Sequence, residues 1–574
     1  MGKVNEYINK IIKKINELKI DKDKPWLKYY DRMPEHIDYY NGSMYDMLLE
    51  TAENYPNLVA LEYFDIKYSF KEFIKKIDEV AISLKKYNVV ENECVTICMP
   101  NIPEAIFLIY AVNKIGAICN IIHPLSTLND IKNAIDQTNS SIVFITDVTY
   151  DTIKDLNIEN LIVCDVSNSM NGIMKALYNL KNKKEYNEDV IRWNEFLRKS
   201  DNRYMKTHVS REKNSPAVII YSGGTTGKSK GIILSNLCFN SIASHSEVIC
   251  KEAKAGNSML SALPIFHGFG LAVGIHAPLV LGLKCILVPK ININKINRLI
   301  KNKKPTILPA IPSMLNAIIN NRFMGPKSFK SVKIILSGGD YLSDELRDKT
   351  EKFFNKSGSG VLIQIGYGLS EATAFVSATN ECMKDINNIG VPNPDNIIKI
   401  FEPYTDVEKE YGDIGEICVK GPSLMLGYIN QDEETANVLK THFDGDVWLH
   451  TGDLGYMSED GILHYTSRLK RMIISNGYNI YPLELEEIIN KCKYVNSSTV
   501  VGIKHKVKQE VPKAVIVLKK EYKLTKEIEK EIKEYCKNNI AKYAIPYEYE
   551  FRSSLPTTKI GKIDYRSLEQ KKDN

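Results

Sequence analysis

An apolar, β-branched run, Ala217-Val-Ile-Ile-Tyr221, leads directly into Ser222-Gly-Gly-Thr-Thr-Gly-Lys-Ser-Lys-Gly231. A strand that opens into glycines, hydroxyls and lysines has the composition of a loop that holds a polyphosphate. Gly223, Gly224 and Gly227 let backbone N–H groups approach an anion closely, Ser222, Thr225 and Thr226 offer hydroxyl donors, and Lys228 and Lys230 supply charge. A Walker A loop requires Gly-x4-Gly-Lys-Ser/Thr, and Ser222 stands where its first glycine belongs. That mismatch disfavours a P-loop NTPase.

Strand-like segments alternate with helical patterns from Ser43 to about Asp130, as in Cys94-Val-Thr-Ile-Cys98. The alternation resumes through Lys333-Ile-Ile-Leu336 and Val361-Leu-Ile-Gln-Ile365. This predicts an α/β multidomain chain whose large N-terminal part has parallel-rich sheets covered by helices. Residues 402–467 change character, with short strands such as Gly415-Glu-Ile-Cys-Val-Lys420 between Gly and Asp turns, and read as a small β-subdomain. Beyond it lies a compact α+β unit with strands at Ser498-Thr-Val-Val-Gly502 and Ala514-Val-Ile-Val-Leu518. At the other end Val4, Ile8, Ile11, Ile15 and Leu18 make residues 4–19 an amphipathic helix. Residues 170–185 place Ile173, Met174, Leu177 and Leu180 on one helical face, flanked by Lys175, Lys181, Lys183 and Lys184. Such a helix either packs on its domain or lies at a membrane surface.

The 76 basic and 70 acidic residues are largely interleaved, which argues against a nucleic-acid binder. No apolar run is long enough to span a bilayer, and lysines throughout residues 1–20 leave no signal peptide visible. The eleven cysteines form no CxxC pair. A reduced, cytoplasmic protein without a structural metal is expected, with peripheral attachment at the inner membrane face as an option.

Four more motifs follow the loop: Gly366-Tyr-Gly-Leu-Ser-Glu371, Trp448-Leu-His-Thr-Gly-Asp-Leu-Gly455, Arg468-Leu-Lys-Arg-Met-Ile-Ile-Ser-Asn-Gly-Tyr-Asn479 and Pro556-Thr-Thr-Lys-Ile-Gly-Lys-Ile-Asp564. In order and spacing they resemble the acyl-adenylate-forming (AMP-binding) superfamily, and within it the long-chain fatty acyl-CoA synthetases. The resemblance runs from about residue 25 to the C-terminus. The family's phosphate loop usually reads Tyr-Thr-Ser-Gly-Thr-Thr-Gly-x-Pro-Lys-Gly. This chain departs from it at Gly223 and at Ser229, where the family has serine and proline; both changes are expected to loosen the loop.

The resemblance implies a large domain over 25–469 and a mobile lid over 470–574, turning about Lys470. It implies ATP, Mg²⁺ and coenzyme A as cofactors. Activating a carboxylate with ATP requires an anion to attack a polyanion, so catalysis rests on positioning and on cations. Glu371 resembles the magnesium-binding carboxylate, Ser370 keeps the hydroxyl beside it, and Tyr367 and Gly368 would lie against adenine. Thr226 belongs to the phosphate-binding set. Asp453 resembles the acceptor of both ribose hydroxyls, with Arg468 beside it. Lys562 resembles the lysine that bridges the incoming carboxylate and the α-phosphate, and Gly477 and Tyr478 the loop lining the pantetheine tunnel. Pro264-Ile-Phe-His-Gly-Phe269 resembles the acyl-pocket motif, with His267 near the substrate carboxylate. Ser337-Gly-Gly-Asp-Tyr341, including Gly338 and Gly339, matches the nucleotide-facing loop in part.

The openings Pro25-Trp-Leu-Lys-Tyr-Tyr and Ser43-Met-Tyr-Asp-Met-Leu-Leu-Glu50 are similar to those of fatty acyl-CoA ligases, so a long- or medium-chain fatty acid is the expected substrate. An aryl-CoA ligase would share every motif. An acyl-AMP ligase loading a carrier protein would lose coenzyme A use, and a membrane-associated scaffold would not need Glu371, Asp453, Arg468 and Lys562 together.

Overall fold

The structure is a computed structural model that describes residues 24–574 except 199–204, 223–228, 293–294, 322–324, 357, 359, 384–387, 476–477, 506–508, 558–562 and 570–574. The helix expected over 4–19 lies outside the described residues. The chain forms two compact units, Met1–Ile397 with Val419–Leu449, and Ile398–Cys418 with His450–Asn574.

Segments such as Ile142–Thr146 and Leu161–Cys164 are apolar nearly without interruption because a parallel strand covered on both faces has no side that meets water. They lie in an eight-stranded sheet of the first unit. Its order is Gly427–Tyr428, Lys230–Ser235, Pro216–Ser222, Ile118–Ile121, Cys94–Cys98, Ile142–Thr146, Asn160–Cys164 and Ile191–Arg192. From Pro216–Ser222 onward every pairing is parallel, with Cys119 opposite Val218 and Ile97 opposite Phe144. A nine-stranded sheet accompanies it, and five consecutive pairings, from Leu362–Tyr367 through Ile334–Ser337, Ile307–Ala310, Ser258–Ser261 and Lys284–Leu287 to Val59–Tyr63, are parallel as well. This is the parallel-rich α/β architecture that the sequence predicts.

The helices start where the sequence places caps. Ser43 with Asp46, Ser69 with Glu72 and Thr127 with Asp130 form reciprocal capping boxes at Met44–Asn54, Phe70–Lys86 and Leu128–Thr138. Pro103–Lys114 is buried along its whole length, and its apolar residues join one core cluster with members of both sheets, among them Leu61, Ile97, Ile220 and Cys285. The motifs of this unit follow directly on strands. The phosphate loop begins after Pro216–Ser222, the 264–269 motif after Ser258–Ser261, Gly338-Gly339 after Ile334–Ser337, and Ser370-Glu371 after Leu362–Tyr367. Each is at the carboxyl end of a strand in a parallel pairing, where open α/β sheets place their ligands.

Gly415–Lys420 and Val447–Met457, most of whose residues fall in the second unit, form a small sheet with Leu463–Arg468, in the region expected to be β-rich. The strands Val495–His505 and Gln509–Leu518 form a long antiparallel pair, with Glu548–Arg552 added in parallel. Pro482–Asn490 and Lys526–Asn539 supply Leu485, Ile489, Ile532 and Cys536 to a core shared with Val500, Ala514 and Ile516. Among the described residues no helix is long and apolar enough to cross a membrane.

Two histidines are sealed into the first unit. His276 sits between Tyr110 Oη, 3.0 Å from its Nδ1, and Asn240 Oδ1, 3.1 Å from its Nε2, and burial pushes it down to about 3. His245 is pushed down to about 4, also by burial, with Nε2 held 2.9 Å from the Pro394 carbonyl. Unfolded, both would titrate at the ordinary value, so on acidification the unfolded chain takes up protons that the folded one refuses. Stability is therefore fully present above about pH 6.5 and falls below it, by up to about 1.4 kcal/mol per pH unit for each histidine. Thermal melts should show a lower Tm at pH 5 than at pH 7; equal values would mean that other groups compensate.

Candidate active site

The strands Pro216–Ser222 and Lys230–Ser235 pair so that Ser222 and Lys230 stand opposite each other. Gly223, Gly224, Thr225, Thr226, Gly227 and Lys228 lie outside the described residues. The bases on either side are firmly held. Tyr221 donates its hydroxyl to Asn120 Oδ1 at 2.8 Å, and Ser229 donates its hydroxyl to the Ser222 carbonyl at 3.0 Å. At Ser229, where the family has proline, the hydroxyl makes a hydrogen bond across the base of the loop that a proline ring cannot make.

Lys230 pairs with the Glu434 carboxylate, and its ammonium lies 4.8 Å from the centre of the Tyr428 ring. Tyr428 in turn donates its hydroxyl to Glu371 Oε1 at 2.9 Å. Burial and the Glu371 charge both push the Tyr428 phenol above its ordinary range, so it stays protonated and donates. The structure thus gathers Lys230 and Glu371, far apart in sequence, around one tyrosine. Tyr428 reaches them because Gly427–Tyr428 adds to the sheet edge beside Ile232 and Ile233.

Glu371 lies in the short helix Ser370–Ala372, and its carbonyl accepts the Met425 N–H at 2.8 Å. Thr373, just after it, holds a left-handed φ of 66° and donates its hydroxyl to the Ser423 carbonyl at 2.7 Å. Two glycines let other backbone segments close on this turn. A Cβ at Gly268 would lie 1.5 Å from the Thr373 oxygen, and one at Gly368 2.0 Å from the Ala374 oxygen. The first contact brings the backbone beside His267 against Thr373, two residues after Glu371. The His267 ring is half-buried against Phe266, 4.8 Å between centroids, at the start of the π-helix Phe269–His276. Gly338 is also close, since a Cβ there would come within 3.1 Å of the Gly366 oxygen and 3.4 Å of the Phe269 ring. Gly339 takes a φ of 80°, and Tyr367 is buried at the end of its strand. With one oxygen of Glu371 engaged by Tyr428, and no partner on Oε2 among the described residues, the carboxylate suits a hard cation that keeps waters and phosphate oxygens as its other ligands.

In the second unit Asp453 and Arg468 are register partners across Val447–Met457 and Leu463–Arg468, with Nε 2.7 Å from Oδ1. The stretch of strand that presents Asp453 is clamped from behind. Glu416 Oε1 accepts the Gly452 N–H at 2.9 Å, Glu416 Oε2 lies 2.9 Å from His450 Nδ1, and Thr451 donates its hydroxyl to the Ile417 carbonyl at 2.6 Å. Glu416 and His450 gather with Cys418 closely enough to be read as metal ligands, but both carboxylate oxygens are already committed to holding the strand. Lys470 is exposed in the short helix Leu469–Arg471. Its neighbour Arg471 is fixed, 2.7 Å from Glu486 and with its guanidinium 3.6 Å from the centre of the Tyr565 ring. Tyr478 begins the strand Tyr478–Ile480, opposite Ser475. Gly477 and Lys562 are outside the described residues; the bridge between Thr557 and Ile563 flanks the segment that contains Lys562.

Residues 48–429 match the family model described as AMP-binding enzyme, and residues 484–562 match the model of that enzyme's C-terminal domain. The chain belongs to the AMP-binding enzyme family. A long-chain-fatty-acid–CoA ligase of Bacillus subtilis is 29% identical over 96% of this chain and 99% of its own. A probable 4-coumarate–CoA ligase of Dictyostelium discoideum is 26% identical over 88% of this chain and 90% of its own. ATP-bound MatB from Rhodopseudomonas palustris shares the fold with a TM-score of 0.78, at 22% identity over 92% of this chain and 98% of that one.

Neither Tyr428 nor Glu434 stands in any of the five motifs, and nothing in their local sequence marks them. Glu416 and His450 do stand in quoted segments, yet their pairing shows only when the strands are in register. If Tyr428 orients Glu371 toward a metal, Tyr428→Phe should weaken ATP binding by about tenfold with Mg²⁺ present, the scale of one lost hydrogen bond to a charged group. AMP binding without metal should be unchanged. Titration calorimetry with both nucleotides separates the cases, and equal weakening of both would show a general loss of the site.

Proposed function

We propose that this adenylate-forming acyl-CoA ligase activates a long- or medium-chain fatty acid to acyl-AMP with release of pyrophosphate, then transfers the acyl group to coenzyme A. The observation that carries the reading is the arrangement of Lys230 and Glu371 about Tyr428. It brings a phosphate-seeking ammonium and a cation-seeking carboxylate to one place beside the glycine-rich loop. The fatty-acid part rests on the similarity to the Bacillus subtilis ligase and on the opening segment, in which Pro25 and Trp26 are buried in the short helix Pro25–Tyr29.

In this mechanism the hydroxyls and N–H groups of residues 222–229 hold the β- and γ-phosphates, with Thr226 and Lys230 beside them. Mg²⁺ held by Glu371 would supply the charge that lets pyrophosphate leave. Tyr367 and Gly368 face the base and Ser370 stands next to the metal carboxylate, while Gly338 and Gly339 let the chain pass close to the nucleotide. Asp453, aligned by Arg468 and by the Glu416–His450 clamp, accepts the ribose hydroxyls. His267 lies beside the substrate carboxylate. Lys562 holds carboxylate and α-phosphate at attack distance, because a compact ammonium can face two anions at once. That lysine then has to leave before a thiol can reach the carbonyl. Residues 470–574 would move as a lid, with exposed Lys470 as pivot next to anchored Arg471, and Gly477 and Tyr478 would line the path of the pantetheine.

The similarity to a probable 4-coumarate–CoA ligase supports an aromatic acid as the second reading. Pyrophosphate release from ATP and Mg²⁺ with palmitate, octanoate or coumarate, each with and without coenzyme A, decides between them. Turnover with a fatty acid that requires coenzyme A is expected. Preference for coumarate would select the aromatic reading, and adenylation without coenzyme A-dependent turnover would point to a carrier protein.

Lys562→Ala should abolish acyl-AMP formation and still convert supplied acyl-AMP to thioester. Equal loss of both half-reactions would refute a role confined to the first.

A further inference from the structure

The helix Gly172–Lys181 is built the wrong way round for a helix packed on a core. Its apolar stripe faces out, with Ile173 77%, Leu177 60% and Leu180 82% exposed and Met174 38%. Its contacts to the domain are made by polar and aromatic side chains. Tyr178 packs against the main core and donates its hydroxyl to Asp147 Oδ2 at 2.7 Å; Asn179 Oδ1 accepts the Ser167 hydroxyl at 2.8 Å, and Lys175 reaches the Asn168 carbonyl at 3.4 Å. The helix is capped at its start, where Asn171 Oδ1 accepts the Met174 N–H at 3.0 Å. The outward stripe is therefore held in place by hydrogen bonds on the opposite face, and does not come from fraying.

The charges around the stripe sort by position. Lys181 and Lys183 are exposed at the C-terminal end of the helix, and Lys184 is 2.6 Å from Asp151. The nearby carboxylates are turned inward or matched: Asp147 takes the Tyr178 hydroxyl, and Asp165 takes the Tyr186 hydroxyl and pairs with Arg192. No acidic residue lies between Asn171 and Lys184; Glu185, Glu188 and Asp189 follow beyond the end of the helix. Three large aliphatic side chains along one face, bordered by the exposed Lys181 and Lys183, fit an interface whose interior is apolar and whose surface is anionic. At roughly 1.5 Å per residue the helix is about 15 Å long, enough to lie flat among headgroups and too short to cross them.

We propose that Gly172–Lys181 is a membrane-surface anchor that inserts Ile173, Leu177 and Leu180 among the acyl chains of an anionic bilayer while Lys181 and Lys183 contact its headgroups. The anchor is independent of which acid the enzyme takes. It leaves the protein as a peripheral, reversible binder, because one short helix offers far less apolar area than a spanning segment.

The test is co-sedimentation of the full chain with vesicles of phosphatidylcholine alone and of phosphatidylcholine with phosphatidylglycerol, at low and high salt. Binding is expected to the anionic vesicles, weakened by salt. The variant Ile173→Ser/Leu177→Ser/Leu180→Ser should bind at least about tenfold more weakly with an unchanged Tm, since the replaced side chains are exposed. Lys181→Glu/Lys183→Glu should lose the preference for anionic lipid and keep residual apolar binding. Absence of vesicle binding, or binding that the triple variant retains, overturns the proposal. Sedimentation velocity without lipid covers the other occupant: a concentration-dependent dimer that the triple variant abolishes would assign the stripe to a second copy of the chain and also overturn it.

Discussion

A site that handles a metal-bound polyphosphate needs an ammonium and a carboxylate close together without letting them neutralise each other. Under the proposed function, Tyr428 is the residue that would meet that need. Its ring face lies under the Lys230 ammonium, and its hydroxyl is given to Glu371, so each charge is oriented by the tyrosine in place of the other. Glu434 balances Lys230 from a more exposed position, where a phosphate can displace it at little cost. The edge pairing of Gly427–Tyr428 with Ile232–Ile233 sets this geometry, so the sheet and the chemistry depend on the same short strand.

Backbone contact does comparable work on the other side of the site. The Gly268–Thr373 and Gly368–Ala374 approaches leave no room for a side chain; the first fastens the His267 motif to the Glu371 turn, and the second closes that turn on itself. In the second unit the equivalent support is polar. Glu416 grips both Gly452 and His450, and the carboxylate of Asp453 is presented by a strand tied down at the two positions around it. Arg471, fixed between Glu486 and Tyr565, gives the residue beside Lys470 a firm footing.

The strands were readable in the sequence because parallel, doubly covered strands are apolar along their whole length: Ala217–Tyr221 and Cys94–Cys98 are strands where the pattern puts them. Helix starts were equally local, since a capping box spans four residues. The site was legible only where its residues sit inside contiguous motifs. Tyr428 and Glu434 act through partners some 57 and 204 positions away in the chain, and no local pattern records such a distance. The helix Gly172–Lys181 shows a further limit. Periodicity revealed that its apolar residues share one face, but the direction of that face is set by Asp147 and Ser167, which belong to other segments.

The stretch Phe269–His276 is wound as a π-helix, wider than an ordinary helix by close to one residue per turn. Loss of a single residue there would let the coil tighten to the common form. Each residue of the wide coil turns the chain by about 80° and each residue of the common coil by about 100°, so one residue fewer and a tighter winding largely cancel, and Ala277–Val280 beyond would nearly keep its facing. Only Leu271, Val273 and Ile275, inside the stretch, would be re-spaced around the coil. Chain length at this point thus sets the width of the coil that follows the His267 motif, separately from the size of any side chain, and the wide turn absorbs the extra residue without turning the chain beyond it.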